Sequence, residues 1–291
     1  MATLNGKEPL TNSRKHPNFP GALPIEATDA QTFKHQTNQA SPVAALLGKP
    51  ASCLCAHGFP QAFSLDPIPL STNRLNSGLL KLTCPLLVGA IDSLEDDGSI
   101  DEINMILQNE ISTGDDGTTL VECMNEAHLV HSASRKQLLE LPNDTSERAE
   151  KPQHMLMIES KLGKQGAEHF LRAGVAGANR STDKADLKCL HAWMADYMFR
   201  TVVDNSTEIG DGMTKHHPIG ELIIDTLSKR GINIHGTDNC HMVCSGVNNC
   251  VTSEVGHTVT VPTPRNKQRK RKVKGTERKR RIKHNRIEEN K

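Results

Sequence analysis

Lys188-Cys189-Leu190-His191 places a thiol and an imidazole two residues apart, and both are good transition-metal ligands. Two further thiols sit beside turn and strand signals. Cys55 opens Cys55-Ala56-His57-Gly58-Phe59-Pro60, and Cys84 closes Leu79-Leu80-Lys81-Leu82-Thr83-Cys84. Together Cys55, Cys84, Cys189 and His191 would make a closed tetrahedral zinc site, the kind that contributes to folding rather than turnover. Zinc suits such soft and borderline donors, with an iron–sulfur centre as the alternative. His57, Cys240 and Cys244 are alternative ligands, since Cys240-His241-Met242-Val243-Cys244 sets two thiols one helical turn apart. None of these spacings is a tight paired knuckle, and ordinary buried cysteines would give the same pattern. A thiol nucleophile at Cys189 fares worse, because a reactive thiolate needs an electropositive setting and Lys188 supplies it only in part.

An ion held by both Cys189 and His191 makes a demand on the backbone. In a regular α-helix, residues two apart point roughly 200° from one another. Leu187, Leu190, His191, Met194 and Met198 share one helical face, which turns His191 inward and Cys189 toward Trp193. One ion takes both only if the chain near Cys189 is not yet helical. Otherwise His191 is a buried, hydrogen-bonded histidine and Cys189 belongs to a separate cluster. The same stretch holds the only Trp, the only Tyr and one of six Phe, in a chain where aromatics are 3% of residues. It is therefore expected to be the central helix of the core, capped by Asp183.

Other elements must position these groups. Ala62–Leu65 reads as a strand after a turn at Gly58, and Leu79–Cys84 as another. Pro85 then opens a helix through Leu94. Ser41-Pro42, with Val43, Ala44, Leu46 and Leu47, reads as a short helix stopped by Gly48 and Pro50. The stripe Leu120, Met124, Ala127, Val130 and Leu138 predicts a helix over Thr119–Leu141, with Cys123 in the core and His128 and His131 solvated. Further helices are expected over Pro152–Leu171 and Ile219–Lys229, the latter opened by Pro218 and stopped by Gly231. Ile232-Asn233-Ile234 reads as a short strand before a thiol-bearing surface loop with His235, Cys240, His241, Cys244 and Cys250. The expected fold is α+β: a small two- or three-stranded sheet packed on a mostly helical bundle. It occupies one domain over 41–250, with polar insertions near 96–118 and 203–217, between disordered tails at 1–40 and 251–291.

The net charge of +1 hides a division: Arg265–Lys291 holds 14 Lys/Arg and 3 acids, a net of +11, against −10 for residues 1–264. The basic run includes Arg269, Lys270, Arg271, Lys272, Lys274, Arg278, Lys279, Arg280 and Arg281. It self-repels, cannot build a core, and reads as a nuclear-localisation arm for an import receptor. Salt-sensitive RNA contact through 265–286 is a companion reading, without base stacking because no aromatic interleaves the charges. The nucleus or nucleolus is the expected location, with the cytoplasm as alternative. No apolar run approaches the ~18 residues of a membrane span, so no membrane partner is expected. The eight Cys are expected as thiols or ligands in a reducing compartment, with no disulfide-linked partner. Gly174-Val175-Ala176-Gly177 lacks the Lys-Ser/Thr ending of a phosphate loop, and neither a nucleophile elbow nor a paired-His protease motif is present.

Cys55-Ala56-His57-Gly58-Phe59-Pro60, Leu82-Thr83-Cys84-Pro85 and Lys188-Cys189-Leu190-His191 resemble the domain-of-unknown-function family 501. Gly174-Val175-Ala176-Gly177 and His217-Pro218-Ile219-Gly220 follow in the places that resemblance requires, over roughly Ala44 to Gly236. In that family the Leu-Thr-Cys-Pro cysteine can be replaced by His, which implies one metal ligand standing in for another. The basic tail lies outside the pattern, and the family brings no established activity. The first functional expectation is thus a metal-stabilised binding module delivered by its tail. The second is a metal-assisted hydrolase of a phosphorylated or nucleotide substrate, which an open coordination position would distinguish. The third is an RNA-associated protein that binds through the tail.

Overall fold

The computed structural model describes residues 19–38, 45–51, 55–69, 75–108, 119–139, 152–177, 187–201, 212–237 and 241–245. All of them belong to one compact unit, residues 1–251. Strands β1 (Ala22–Pro24), β2 (Leu46–Pro50), β3 (Ala62–Leu65) and β4 (Leu80–Leu82) form one antiparallel sheet in chain order. The fold is α+β as expected, with four strands where two or three were predicted. In β3 successive side chains go to opposite faces. Ala62 joins the main core, while Phe63 packs edge-to-face on Phe33 at 5.2 Å. Apolar residues cover both faces, so the buried strand shows no clean apolar/polar alternation.

Phe33 belongs to α1 (Ala27–Thr37), which corrects, over the described residues 19–38, the reading of 1–40 as a disordered tail. Its inward face carries only Phe33, Thr32 and Asp29, so no apolar stripe marks it in the sequence. Tertiary contacts hold it instead, with Asp29 2.8 Å from the Lys49 ammonium on β2. The short helix expected around Leu46 and Leu47 is strand β2, paired on both edges. Pro50 is tolerated because it ends that strand.

Helices α2 (Pro85–Asp96) and α3 (Ser99–Gln108) follow, and α3 replaces part of the expected polar insertion at 96–118 by burying Ile103 and Leu107. Helix α4 (Leu120–Leu138) starts on a capping box, the Thr119 hydroxyl accepting from Glu122 N–H and the Glu122 carboxylate from Thr119 N–H. Helix α5 (Gln153–Arg172) breaks at Gly163 (φ 71°), and a 3-10 turn runs over Val175–Gly177. The central helix α6 (Leu190–Arg200) buries Trp193, Met194, Ala195, Met198 and Phe199, and packs against β4, α2, the 3-10 turn and α7 (Pro218–Lys229). Gly231 (φ 73°) ends α7, with Ile232 N–H reaching back to the Leu227 carbonyl at 3.0 Å. Ile232–Ile234 is loop rather than strand. A short α8 (His241–Ser245) lies against α1 and buries Cys244, so this thiol is not on a surface loop. Asp183, Cys240, Cys250 and the basic run 269–281 fall outside the described residues. No described helix is long and apolar enough to cross a membrane.

Candidate metal centre

Helix α6 begins at Leu190, and Cys189 is its N-cap with extended backbone (φ −157°, ψ 114°). This satisfies the condition for Cys189 and His191 to face one another: the Cys189 sulfur lies 3.8 Å from His191 Nδ1. A third ligand type arrives from the last turn of α2, where Glu95 Oε1 is 3.1 Å from the same nitrogen. Glu95, Cys189 and His191 each offer a ligand atom within 4.8 Å of the others, the only such group of three or more among the described residues. With metal–sulfur and metal–nitrogen bonds of about 2.3 and 2.0 Å, tetrahedral angles put sulfur and nitrogen about 3.5 Å apart. The observed spacing is close to that. His191 Nε2–H donates to the Val88 carbonyl at 3.3 Å, with Asp92 3.7 Å away. Fixing the far nitrogen this way aims Nδ1 at the thiol and carboxylate, as metal-ligating histidines require.

Burial opposes a charged His191, but hydrogen bonds to Cys189 and Glu95 outweigh it and raise its pKa to about 10. Burial likewise works against an ionised Glu95, yet the bond to His191 and the Leu190 N–H, 2.8 Å from Oε1, hold its carboxyl below the ordinary value. Without an ion, an imidazolium proton bridges nitrogen and carboxylate. A metal would take that proton's place, so uptake must release protons. All three groups are half-buried.

The expected four-ligand site is not formed; its members divide into two pairs. Cys84 is the N-cap of α2 whereas Glu95 is near that helix's other end, about 16 Å along the axis at 1.5 Å per residue. Cys55 and Cys84 are both buried at the first end, where burial raises the Cys84 thiol's pKa and the nearby Cys55 adds to the rise. His57 Nε2–H donates to the Thr237 carbonyl at 2.7 Å, and the Cys244 sulfur accepts from the Gln36 amide at 3.2 Å. The residue of this cluster that the sequence reading missed is Glu95, one residue past the Leu94 at which the expected helix ended.

A second polar cluster lies farther along α6. Asp196, fully buried, accepts from His131 Nε2 at 2.7 Å, His217 Nε2 at 2.8 Å and Arg200 Nη1 at 3.3 Å. Burial would raise its pKa, but His131, His217 and Arg200 hold it far below the usual carboxylate range. Burial depresses His131, keeping it neutral. His217 Nδ1 accepts from Gly220 N–H at 3.0 Å and so caps α7. Neither His131 nor His128 is solvated as expected; the latter is buried and accepts from Val175 N–H at 3.0 Å. The expected insertion at 203–217 ends on the buried His217, and Cys123 is half-buried beside a shallow cavity rather than in the core. The Gly174–Gly177 motif is a packing feature: a Cβ on Gly174 would come within 2.3 Å of the His128 ring.

No curated protein and no solved structure matches the chain. The family described as Protein of unknown function (DUF501) matches residues 51–215, more than half of the chain and all of Glu95, Cys189 and His191. The chain belongs to that family.

Proposed function

We propose that the chain holds a transition-metal ion, zinc by donor chemistry, through Glu95, Cys189 and His191, leaving the fourth coordination position open. One observation carries this reading: three ligand atoms of three chemical types converge within 4.8 Å, beside a backbone carbonyl that fixes the imidazole. One thiolate, one imidazole and one carboxylate suit zinc, whereas an iron–sulfur cluster is held by several thiolates. A closed structural site has four protein ligands; a site with three keeps a place for water or substrate. With three ligand groups converging among the described residues, the arrangement supports metal-assisted hydrolysis over a purely structural ion. In such chemistry the ion lowers the pKa of bound water and polarises an electrophilic oxygen. The chain's own part is to orient His191 from Val88, keep Glu95 ionised and shield the site partly from solvent.

Elemental analysis of protein purified without chelator tests the reading. Zinc is expected in the wild type and lost in Cys189→Ser and His191→Ala. Equal metal in wild type and both variants, or none in the wild type, overturns it. A zinc-dependent hydrolysis of phosphate esters or nucleotides, absent in Glu95→Gln, would then separate enzyme from binding module.

The division between a body of −10 and a tail of +11 supports a second assignment, that residues 265–291 address the domain to the nucleus or nucleolus through an import receptor. A fluorescent fusion of the full chain should be nuclear, and deletion of 265–291 should disperse it. RNA contact through 265–286 would show as salt-sensitive binding lost with the same deletion.

A further inference from the structure

We propose that Asn104 on α3 is the positioning residue for the Cys189 sulfur. The inference rests on the metal reading and adds to it the group that shapes the thiolate's approach. Cys189 can share an ion with His191 only while its backbone is extended, because on a continuous helix the two side chains diverge. Residues 187–189 belong to no strand that would enforce that conformation. The Asn104 side chain does so instead. Its Nδ2–H donates to the Leu187 carbonyl at 3.2 Å, and its Oδ1 accepts from Leu187 N–H at 2.7 Å.

Two bonds to one residue reproduce what a neighbouring strand would supply, and they need a side chain with both a donor and an acceptor. Asn104 is itself held, since Ile103 and Leu107 on its helix are buried in the main core, as is Leu187. Downstream, the Leu190 N–H is taken by Glu95 at 2.8 Å. The chain entering α6 is thus pinned two residues before the thiol by Asn104 and one residue after it by a proposed ligand. Lys188, between Leu187 and the thiol, is exposed.

The full chain carrying Asn104→Ala tests this with cobalt(II) in place of zinc. The near-ultraviolet thiolate-to-cobalt charge-transfer band reports whether the Cys189 sulfur is bound, a readout that loss of general stability would not mimic in a protein still folded by circular dichroism. Asn104→Ala should weaken cobalt binding about tenfold or more and lose most of that band, as removal of an outer-shell partner does. Asn104→Asp, which keeps the acceptor for Leu187 N–H, should retain more of both, and it serves if the alanine variant fails to fold. Band and affinity unchanged from wild type overturn the proposal. A second arm is independent of metal: iodoacetamide alkylation of Cys189 in chelator-treated protein, with buried Cys84 as internal reference. Asn104→Ala should change the Cys189 rate several-fold and leave Cys84 slow; an unchanged Cys189 rate also overturns the proposal. Wild-type protein that takes up no cobalt defeats the metal reading alone, and the alkylation arm then decides the role of Asn104.

Discussion

Helix α6 carries two clusters of histidine and carboxylate, and they have opposite characters. At its start, Glu95, Cys189 and His191 are half-buried and converge on a shared space. In its C-terminal half, Asp196 is fully buried and its oxygens are taken by His131, His217 and Arg200. Similar residue types thus serve different ends. Donors that surround and satisfy a buried carboxylate fasten α4, α6 and α7 together. At the start of α6, a thiol and a carboxylate instead converge on one imidazole nitrogen, the pattern the proposed ion would use.

The sharpest break of the comparison is Asp196→Ala. It takes from the buried Arg200 one of its two carboxylate partners, leaving Glu126 at 3.2 Å and the Gly212 carbonyl at 2.8 Å, and leaves two imidazole N–H groups without an acceptor. Breaking a buried pair costs about 3–5 kcal/mol, enough to unfold a marginal domain. Urea denaturation should show that loss, whereas Cys189→Ser in chelator-treated protein should stay within about 1 kcal/mol of wild type. Equal losses at both clusters would erase the distinction. Acid should attack the buried cluster first. Because His131's native pKa lies below its ordinary 6.5, the unfolded chain takes up the proton first, so this stability is present above pH 6.5 and falls as pH drops toward the native value. Asp196, depressed from 3.8, adds a further loss below that pH. A urea midpoint flat from pH 7 to the acid limit would contradict the assignment.

Next in size is the effect of the ion. Zinc at one hundred times its Kd should raise unfolding free energy by about 2.7 kcal/mol in the wild type. The rise should vanish in Cys189→Ser and persist in variants far from the site. Thermal melts with and without zinc measure it; an equal rise in Cys189→Ser would move the ion elsewhere.

Gly220→Ala probes the packing that both clusters depend on. A Cβ there would lie 2.5 Å from Tyr197 Cβ, at the contact of α6 with α7. Overpacking of this kind costs about 1–3 kcal/mol, since helix and ring must both shift. Unchanged stability would mean that the α6–α7 contact is looser than described.

What could be read from the sequence follows the same division. Cys189 and His191 are legible because a thiol and an imidazole two residues apart pose a geometric question, which the extended N-cap answers. Glu95 is not, because one carboxylate in the acidic run Glu95-Asp96-Asp97 carries no mark. His131 and His217 looked solvated or inserted, since their partner Asp196 is 65 and 21 residues away and no local pattern connects them. Strand β3 and helices α2, α4, α5 and α7 announced themselves through proline, glycine and apolar spacing. Helix α1 buries more polar than apolar residues, so only its packing on the sheet reveals it.

The smallest effect tests the comparison from its weak side. Arg230 on the far end of α7 lies 2.6 Å from Asp97, two residues beyond Glu95, with the partners 39% and 55% exposed. If charge near the site mattered regardless of burial, Arg230→Ala would disturb both stability and zinc uptake. Exposed pairs are screened by water and salt and hold two long side chains at an entropic cost, so the expected loss is under about 1 kcal/mol at physiological ionic strength. Zinc affinity should stay within about twofold, because Arg230 contacts none of the three ligands and its field at Glu95 is damped by solvent. Isothermal titration with zinc beside urea denaturation separates the two quantities. A large drop in affinity would mean that the charge balance around α2's last turn, rather than the convergence of three ligand atoms, sets the character of this end of α6.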